Sequence, residues 1–341
     1  MDSIAKLTAE ERRIYFEEAA ATHGRLSAQL IEKDFWVCWM LRRLFRLNDI
    51  KDHLTFKGGT SLLKVYSVIW RFSEDVDLSI ERGYLGFGGE NDPEQGSSGK
   101  EIQRRLNRLK ETCQAFVADT LFPKLKAAVA ESLADELNWQ LTPDTNDPDH
   151  QSIQFQYPPA IATNLSPYFA QSVKIELGAR SDHFPVESAA IHPFLADILP
   201  TAMTDSNVEL RVLDAVRTFW EKATILHAIC HRSPEKPAGV RQSRHYYDLF
   251  ELSNNEAGQR ALKSFDLLER VATHKSIFFK AAWAHYEEAK PGTLRLVPDD
   301  ARIKELRNDY AQMEPMFFGD IPEFDAIVKR LRQLEDTINN C

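Results

Sequence analysis

Apolar residues recur along much of the chain at the spacing of amphipathic helices, and several shorter segments alternate between apolar and polar residues as strands do. The first helix is predicted over residues 8–23, where Thr8 and Glu11 have the spacing of a capping box. Further helices are predicted over residues 27–47, 61–70, 100–134, 208–231 and 244–253. Strands are predicted over residues 53–56, 76–80, 137–142, 152–157 and 172–178.

The order of these elements predicts an α+β domain over residues 1–204 and a helical domain over residues 205–341. The 341 residues are long enough for two domains, and the boundary is placed near Pro200–Ser206. Between Gly83 and Gly99 the chain holds six of its 14 glycines. This composition predicts a mobile loop without ordered elements.

Composition excludes several classes of protein. Hydrophobic residues make up 43% and charged residues 27% of the chain, which excludes global disorder and fibrous repeats. The 42 Lys and Arg residues against 51 Asp and Glu residues give a net charge of −9, so a polyanion would have to bind a local basic patch. The four cysteines show no disulfide or zinc spacing. Without a signal-peptide pattern or an 18-residue apolar run, we expect a cytoplasmic protein with no membrane partner.

Two aspartates on one predicted strand carry the first candidate chemistry. The segment Arg71–Asp77 reads RFSEDVD, and side chains at i and i+2 of a strand share one face. Asp75 and Asp77 would then project together, with α-carbons about 6.5–7 Å apart. Paired carboxylates of this kind suit Mg²⁺, which binds through one or two carboxylates and substrate phosphates. In two-metal sites, such ions hold the attacking and leaving oxygens of a phosphoryl transfer.

A glycine turn upstream supplies the second half of the site. The segment Lys57–Ser61 reads KGGTS. Gly58 and Gly59 allow a close backbone approach to a phosphate, and the following helix would present free N–H groups. Thr60 and Ser61 would add hydroxyl donors. Together, the turn and the aspartates predict a phosphate cradle that faces a metal site.

Each motif alone is common in proteins of other function, because Gly-Gly usually marks a turn and Asp-x-Asp a solvated strand edge. Their joint occurrence, 16 residues apart from Gly59 to Asp75, leaves room for one helix and a returning strand. A haloacid-dehalogenase nucleophile would need an apolar strand before Asp75, where the chain instead has Arg71–Glu74. A glycosyltransferase Asp-x-Asp would leave the glycine turn unexplained.

The two segments resemble motifs I and II of the nucleotidyltransferase AbiEii/AbiGii toxin family, within the polymerase-β-like nucleotidyltransferase superfamily. Further segments resemble the family in the same order: Glu32–Trp36, Glu221–Ala223, Arg244–Leu249 and the run from Met316 to Asn339. The resemblance spans nearly the whole chain. It implies a polymerase-β-like nucleotidyltransferase domain with a mixed sheet, followed by a helical C-terminal domain that completes the active site.

The resemblance and the chemistry of the residues together define the candidate site. The predicted catalytic residues are Asp75, Asp77, Lys222, Asp248 and Glu176, of which Asp75 and Asp77 are the metal ligands. The predicted nucleotide-binding residues are Lys57, Gly58, Gly59, Thr60, Ser61, Arg71 and Ser73.

Three of these roles compete with structural alternatives. Lys222 would place a point charge on the triphosphate, or it would be a snorkelling lysine on an apolar helix. Asp248 would orient Lys222 or the nucleotide, or it would serve as a salt-bridge or capping partner. Glu176 would be a third catalytic carboxylate, or it would pair with Lys174 or Arg180.

The expected activity is metal-dependent nucleotide transfer with Mg²⁺ or Mn²⁺. An acceptor hydroxyl would attack the α-phosphorus of a nucleoside triphosphate and release pyrophosphate. The resemblance implies a toxin of a toxin–antitoxin or phage-defence system, with the tRNA 3′ end as acceptor and a cognate antitoxin as partner. Other acceptors, namely a small alcohol or a protein hydroxyl, stay open, as does a non-catalytic nucleotide-binding module.

Two side-chain clusters outside the motifs are also candidates. Lys275 and Lys280 lie near Phe278, Phe279 and Trp283 in the sequence, a pattern that fits either an RNA contact with stacked bases or a solvated helix face. Another pair, His227 and His231, has i, i+4 spacing without a metal-binding motif and is interpreted as structural.

Overall fold

The computed structural model describes residues 1–73, 75–133, 137–162, 170–237 and 239–341. Glu74 of the predicted acidic motif and residue 134 at the end of a predicted helix lie outside these ranges. The described chain forms two compact units. The first contains Met1–Val65, Phe72–Asp92 and Gln103–Val212, and the second contains Tyr66–Arg71, Pro93–Ile102 and Leu213–Cys341. The chain passes from the first unit to the second for the last time between Val212 and Leu213, a few residues after the boundary predicted at residue 204.

A seven-stranded mixed sheet organises the first unit. Its strands are β1 (Leu54–Lys57), β2 (Asp75–Ile80), β3 (Gln140–Pro143), β4 (Ser152–Gln156), β5 (Ser172–Gly178), β6 (Val186–Ile191) and β7 (Val208–Leu213), in the spatial order β3-β4-β5-β2-β1-β7-β6. Strand β1 is antiparallel to β2 and parallel to β7, and β2 is parallel to β5. A mixed sheet accompanied by many helices confirms the predicted α+β fold.

Helices fill the rest of both units. They are α1 (Asp2–Ala5), α2 (Ala9–His23), α3 (Ala28–Leu44), α4 (Gly58–Lys64), α5 (Gly99–Phe116), α6 (Phe122–Ala130), α7 (Phe194–Ile198), α8 (Ala215–His231), α9 (Ser243–Ser253), α10 (Glu256–Ala261), α11 (Phe265–Phe278), α12 (Asp300–Ala311) and α13 (Phe324–Asn339). The predicted capping box of α2 is confirmed, because Thr8 Oγ1 accepts from the Glu11 backbone N–H and the Glu11 carboxylate accepts from the Thr8 backbone N–H. No helix among the described residues is long and apolar enough to span a membrane.

The core of the first unit lies between α3 and one face of the sheet. Nearly all of α3 is buried, and Trp36 and Trp39 both pack against Phe155 of β4, with ring centroids 5.9 and 5.8 Å apart. On β2, Val76 and Leu78 alternate with the two aspartates and point into the core. The period of two therefore leaves Asp75 and Asp77 on the polar face of the sheet.

Strand β7 corrects the prediction of a helix over residues 208–231. Val208, Leu210 and Val212 alternate with polar residues and are buried, which is the period of a strand. Helix α8 begins only after Asp214, whose carboxylate accepts from the Val216 backbone N–H at 2.7 Å. The capping aspartate separates two periods that the sequence prediction merged into one.

Two other predicted segments differ from the structure. The helix expected over residues 61–70 is α4, which begins at Gly58 and ends at Lys64. Beyond it, the Trp70 carbonyl accepts from the Phe318 backbone N–H at 3.0 Å, which favours extended chain there. The expectation of a loop without ordered elements after Gly83 was wrong in part, because that segment contains two single-turn 3₁₀ helices, Gly89–Asn91 and Pro93–Gln95. Strand β6 was not predicted.

Helices build the core of the second unit. Helix α8 packs against α9, α10 and α11, while α13 packs against α9. The apolar face of α8, which includes Phe219, Trp220 and Leu226, is fully buried. Arg71 joins this unit through an isolated antiparallel bridge to Phe317. This bridge positions the first residue of the predicted acidic motif next to the helices.

Candidate active site

The turn between β1 and α4 lies directly against the carboxylate of Asp77. Helix α4 begins at Gly58, whose φ of +78° favours glycine. A Cβ added at Gly58 would lie 1.9 Å from Oδ2 of Asp77, so only glycine lets the backbone pass at this distance. Lys57, the last residue of β1, is paired with Asp77 in the antiparallel register. The two predicted motifs are therefore brought together within the first unit.

Strand β5 adds two charged residues to the same face of the sheet. In the parallel register, Lys174 lies opposite Asp75 and Glu176 lies opposite Asp77. Side chains of directly paired residues share a face, and neighbouring strands are about 4.8 Å apart. Lys174 Nζ contacts Glu176 Oε1 at 2.6 Å. Glu176 thus lies opposite Asp77 on the neighbouring strand and is paired with Lys174.

The donor atoms on this face fit a hard divalent cation. Asp75 and Asp77 offer carboxylate oxygens, which are the ligands that Mg²⁺ prefers. The absence of a side chain at Gly58 leaves the approach to Asp77 free of a Cβ. Within the described ranges, no group of three or more His, Cys, Asp or Glu side chains is arranged to hold a metal ion. A metal ion at this site would therefore be held by two protein carboxylates and by water or substrate.

A buried cluster of charges forms in the second unit around Asp248 on α9. Arg71 makes a two-point contact with it, Nε to Oδ1 at 2.7 Å and Nη2 to Oδ2 at 2.8 Å. Asp248 is fully buried and Arg71 is only 2% exposed. Paired geometry of this kind fixes the position of the carboxylate as well as its charge.

Lys222 on α8 completes this cluster. Its Nζ lies 2.8 Å from Asp248 Oδ2 and 3.1 Å from His245 Nδ1. An ammonium group has three N–H donors and no acceptor, so these two contacts leave one donor for another partner. Asp248 is thus an ion-pair partner of Lys222, and whether the pair also serves nucleotide transfer stays a prediction.

Burial and neighbouring charges shift the pKa values of three groups in this cluster, Asp248, Lys222 and His245. Burial alone would raise the pKa of Asp248, but Arg71 and Lys222 outweigh it and hold that pKa well below its usual range. Burial lowers the pKa of Lys222 despite the opposing effect of Asp248. Burial and the charge of Lys222 also lower the pKa of His245 far below its usual range, so its ring is neutral at pH 7 and accepts from Lys222.

Arg244 adds a further positive charge beside Lys222. Its charge contributes to the lowered pKa of both Lys222 and His245. In the part of the chain that the structure describes, the buried Nε of Arg244 has no hydrogen-bond partner. With Asp248 as the single carboxylate among these groups, the cluster favours binding of an anion.

The comparison with protein families decides the identity of the chain. Residues 39–330 match the family model "Nucleotidyl transferase AbiEii toxin, Type IV TA system". The chain belongs to this nucleotidyltransferase toxin family. A search among curated proteins finds no match.

Two solved structures resemble this nucleotidyltransferase toxin. MenT4, a nucleotidyltransferase toxin from Mycobacterium tuberculosis H37Rv, is 15% identical, with 97% of this chain and 98% of that chain covered and a TM-score of 0.45. JHP933 from Helicobacter pylori is 14% identical, with 92% of this chain and 98% of that chain covered and a TM-score of 0.36.

The hydroxyl groups of the glycine turn bind within the toxin itself. Thr60 Oγ1 donates to the backbone carbonyls of Asp75 and Ser73. Ser61 Oγ donates to the Gly58 carbonyl at 2.8 Å. Both side chains are buried. These bonds fix α4 against the start of β2, and a direct contact of either hydroxyl with phosphate stays a prediction.

Two acidic residues of the segment Glu32–Trp36 connect α3 to other parts of the first unit. Asp34 lies 2.8 Å from Lys64 Nζ at the end of α4 and accepts from the Phe194 backbone N–H at 2.6 Å. Glu32 accepts from the backbone N–H groups of residues 160 and 161, at 2.7 and 3.1 Å. Sequence reasoning did not find the Asp34–Lys64 pair, since the two residues lie 30 positions apart and share no local pattern.

The structure bears on the interpretation of His227 and also shows a contact of His245 that the sequence analysis did not consider. His227 bonds through both ring nitrogens to backbone atoms of His285 and Arg295, at 3.0 and 3.1 Å, which confirms a structural role. His245 was missed as part of the site, although it lies three residues before Asp248 on one helix. The i, i+3 spacing that brings the two side chains to the same face was the available signal.

Replacement of Gly58 by alanine should displace the Asp77 carboxylate. The new Cβ would occupy the position of Oδ2, and the positive φ would add strain of about 1–2 kcal/mol. We expect nucleotide transfer to fall by roughly 10²-fold or more, because the candidate ligand would leave its position. Initial rates of transfer and the thermal midpoint of unfolding measure the two effects separately.

Gly24→Ala is the matched control for this variant. Gly24 also has a positive φ, +76°, but a Cβ there would meet no atom within 4 Å. Both variants should carry the strain of a positive φ, and only Gly58→Ala should also displace Asp77 and lose transfer. Equal transfer rates in the two variants would show that the turn does not position Asp77.

Proposed function

We propose that this toxin transfers a nucleoside monophosphate from a nucleoside triphosphate to the 3′ end of tRNA and depends on Mg²⁺ or Mn²⁺. The observation that carries the proposal is the contact of the glycine turn with the Asp77 carboxylate, in a chain of a nucleotidyltransferase toxin family. A close backbone approach next to a carboxylate suits a metal-bound phosphate. The proposal also includes a cognate antitoxin encoded beside the toxin.

Asp75 and Asp77 would hold the metal through their carboxylate oxygens. When bound, the divalent cation would lower the charge of the triphosphate and of the attacking oxygen. Gly58 and Gly59 would let the backbone approach the β- and γ-phosphates. Lys57, paired with Asp77 in the sheet, would contribute a positive charge at the same turn.

Lys222 would neutralise charge that develops on the triphosphate. Its third N–H donor is available for an oxygen, while Asp248 and His245 fix the other two. The burial that lowers its pKa also makes its interaction with an arriving anion strong, because water competes less there. Arg71 would act through Asp248 by holding this carboxylate in position.

The acceptor is proposed from a cationic aromatic surface on the second unit. Phe279 and Trp283 are 41% and 45% exposed, and Arg232 lies 5.6 Å from the ring centroid of Trp283. Lys275 donates to the carbonyl of Glu221, the residue before Lys222, at 3.1 Å. Exposed aromatic rings beside cations suit the unpaired bases of an RNA end.

One residue of the predicted cluster does not belong to this surface. Phe278 is only 3% exposed and stacks on His274, with ring centroids 4.3 Å apart. Phe278 therefore lies on the buried side of α11, whereas Phe279 and Trp283 are exposed.

The decisive experiment offers the purified chain each of the four α-labelled nucleoside triphosphates with Mg²⁺ or Mn²⁺ and total tRNA. We expect label on tRNA together with released pyrophosphate. Periodate-oxidised tRNA, which lacks the terminal hydroxyls, should take no label. Label on protein instead of tRNA would show that the acceptor is a protein hydroxyl and not tRNA. Absence of label with all four triphosphates would overturn the proposed activity.

Substitution of Trp283 by alanine should weaken the use of tRNA without weakening that of the triphosphate. Loss of one stacking contact predicts an increase in the KM for tRNA of about tenfold. Trp283→Phe should retain most of the affinity, because it keeps a ring. Steady-state transfer at varied tRNA concentration measures the effect. Ile14→Ala, at a 58% exposed residue of α2, is the control, and an unchanged KM in Trp283→Ala would exclude this surface as the RNA contact.

A further inference from the structure

Lys174 lies among the carboxylates that surround the candidate metal ligands. It is paired with Asp75 in the register of β2 and β5, and its Nζ lies 2.6 Å from Glu176 Oε1 and 3.7 Å from Asp144 Oδ2. All of these residues belong to the first unit. The ammonium group of Lys174 is therefore near three carboxylates, those of Asp75, Asp144 and Glu176.

Asp144 fixes the position of this lysine. It is only 7% exposed, and its two oxygens accept from the Asn146 backbone N–H at 3.0 Å and from Gln154 Nε2 at 3.3 Å. Lys174 thus extends between an anchored carboxylate and Glu176. Both contacts are made within the first unit, one with a residue of β5 and one with the residue that follows β3.

The charge of Lys174 persists at neutral pH. Burial alone would lower its pKa, but Glu176, Asp75 and Asp144 outweigh burial and raise it. A permanent cation beside Asp75 repels a second cation on the same face. The pairing also occupies Glu176, which sequence reasoning had assigned as a third catalytic carboxylate.

We propose that Lys174 is a built-in counter-ion that pairs with Glu176 and competes with the divalent cation, so that Asp75 and Asp77 alone hold the metal. The pair of Lys174 and Glu176 then contributes almost no net charge to the site. Lys174 weakens metal binding in the absence of the triphosphate, whose negative charge offsets this repulsion. This inference rests on the proposed metal dependence and assigns the ligands of that site.

The test is a set of calorimetric titrations of the full chain with Mn²⁺ in the absence of nucleotide. Lys174→Met removes the charge at similar length and should tighten binding about tenfold. The double variant Lys174→Met/Glu176→Gln removes a neutral pair and should bind as the wild type does, within about threefold. Lys174→Arg, which keeps the charge, should also resemble the wild type. Lys124→Met, at an exposed pair with Asp49, is the control for loss of a lysine.

The outcomes separate this inference from the proposed function. Loss of Mn²⁺ binding in the double variant would make Glu176 a ligand and overturn the inference. Unchanged binding in Lys174→Met would also overturn it. Both results leave the proposed function in place if Asp77→Asn abolishes the titration signal. Binding that does not respond to Asp77→Asn would overturn the metal site and the inference together.

Discussion

Substitution of Asp77 by asparagine is expected to abolish nucleotide transfer and any growth arrest caused by the toxin. The amide keeps the shape of the side chain but loses the negative charge that a divalent cation needs. We expect transfer to fall by about 10³-fold or more, since the position that stabilises the reacting phosphate would be lost. Transfer of labelled nucleotide and growth after induced expression measure the two effects.

The fold should survive this change. Asp77 lies on the polar face of β2 and Val76 and Leu78 supply the buried face of that strand, so the core is untouched. Removing one of two neighbouring like charges also relieves repulsion. Thermal unfolding should therefore match the wild type, and Asp49→Asn, at an exposed residue paired with Lys124, is the control for loss of an aspartate. An active, well-folded Asp77→Asn chain would contradict the assignment of Asp77.

The sequence predicted those parts of the site that depend on local spacing. Asp75 and Asp77 share a face because strands have a period of two, and Gly58 marks a turn because its backbone requires a positive φ. Asp248 and Lys222 were assigned to the site through a resemblance between motifs, and the structure places their side chains 2.8 Å apart. Local patterns and family motifs were sufficient for these residues.

The pairing of β5 with β2 was not predicted from the sequence. The register of β5 against β2 decides that Glu176 faces Asp77 and that Lys174 faces Asp75, and nothing in either strand's own sequence encodes this register. The structure shows the pairing of Glu176 with Lys174, and a catalytic role of Glu176 stays a prediction. Strand β6 was missed for a related reason, because an edge strand with mostly half-exposed or exposed residues has no apolar alternation.

Arg71 was assigned to nucleotide binding, but the contact that the structure shows for it is with a carboxylate. Arg71 was placed with the nucleotide-binding residues because it belongs to the segment Arg71–Asp77, which resembles motif II of the family. The structure turns its guanidinium toward Asp248, where it is only 2% exposed. Arg71 therefore contacts a carboxylate on α9, and a direct contact with the nucleotide stays a prediction.

Asp248→Asn should be the most destabilising of the single substitutions considered for this toxin. It would leave Arg71 and Lys222 buried without the carboxylate that both contact. Breaking a buried ion pair on one side costs about 3–5 kcal/mol, because the remaining charge is uncompensated. We expect a loss of this size in the free energy of unfolding from denaturant titration at pH 7, together with loss of transfer.

The pH dependence of this loss has a defined sign. The folded chain holds the pKa of Asp248 below the usual value of about 3.9, so its carboxylate stabilises the fold above that pH. The stability gap between wild type and Asp248→Asn should therefore be constant near neutral pH and should narrow as the pH falls below about 4. A gap that stays constant down to the acid unfolding of the wild type would contradict the ionised state of Asp248.

Lys222→Met separates the proposed role of Lys222 in transfer from its structural role. Arg71 would keep both of its contacts with Asp248, so the buried carboxylate would remain paired. We expect a smaller loss of stability than in Asp248→Asn but a similar loss of transfer, because the charge meant for the triphosphate would be absent. Transfer at the wild-type rate in a stable Lys222→Met chain would leave Lys222 with a structural role alone, since the variant keeps the apolar stem and loses only the charge.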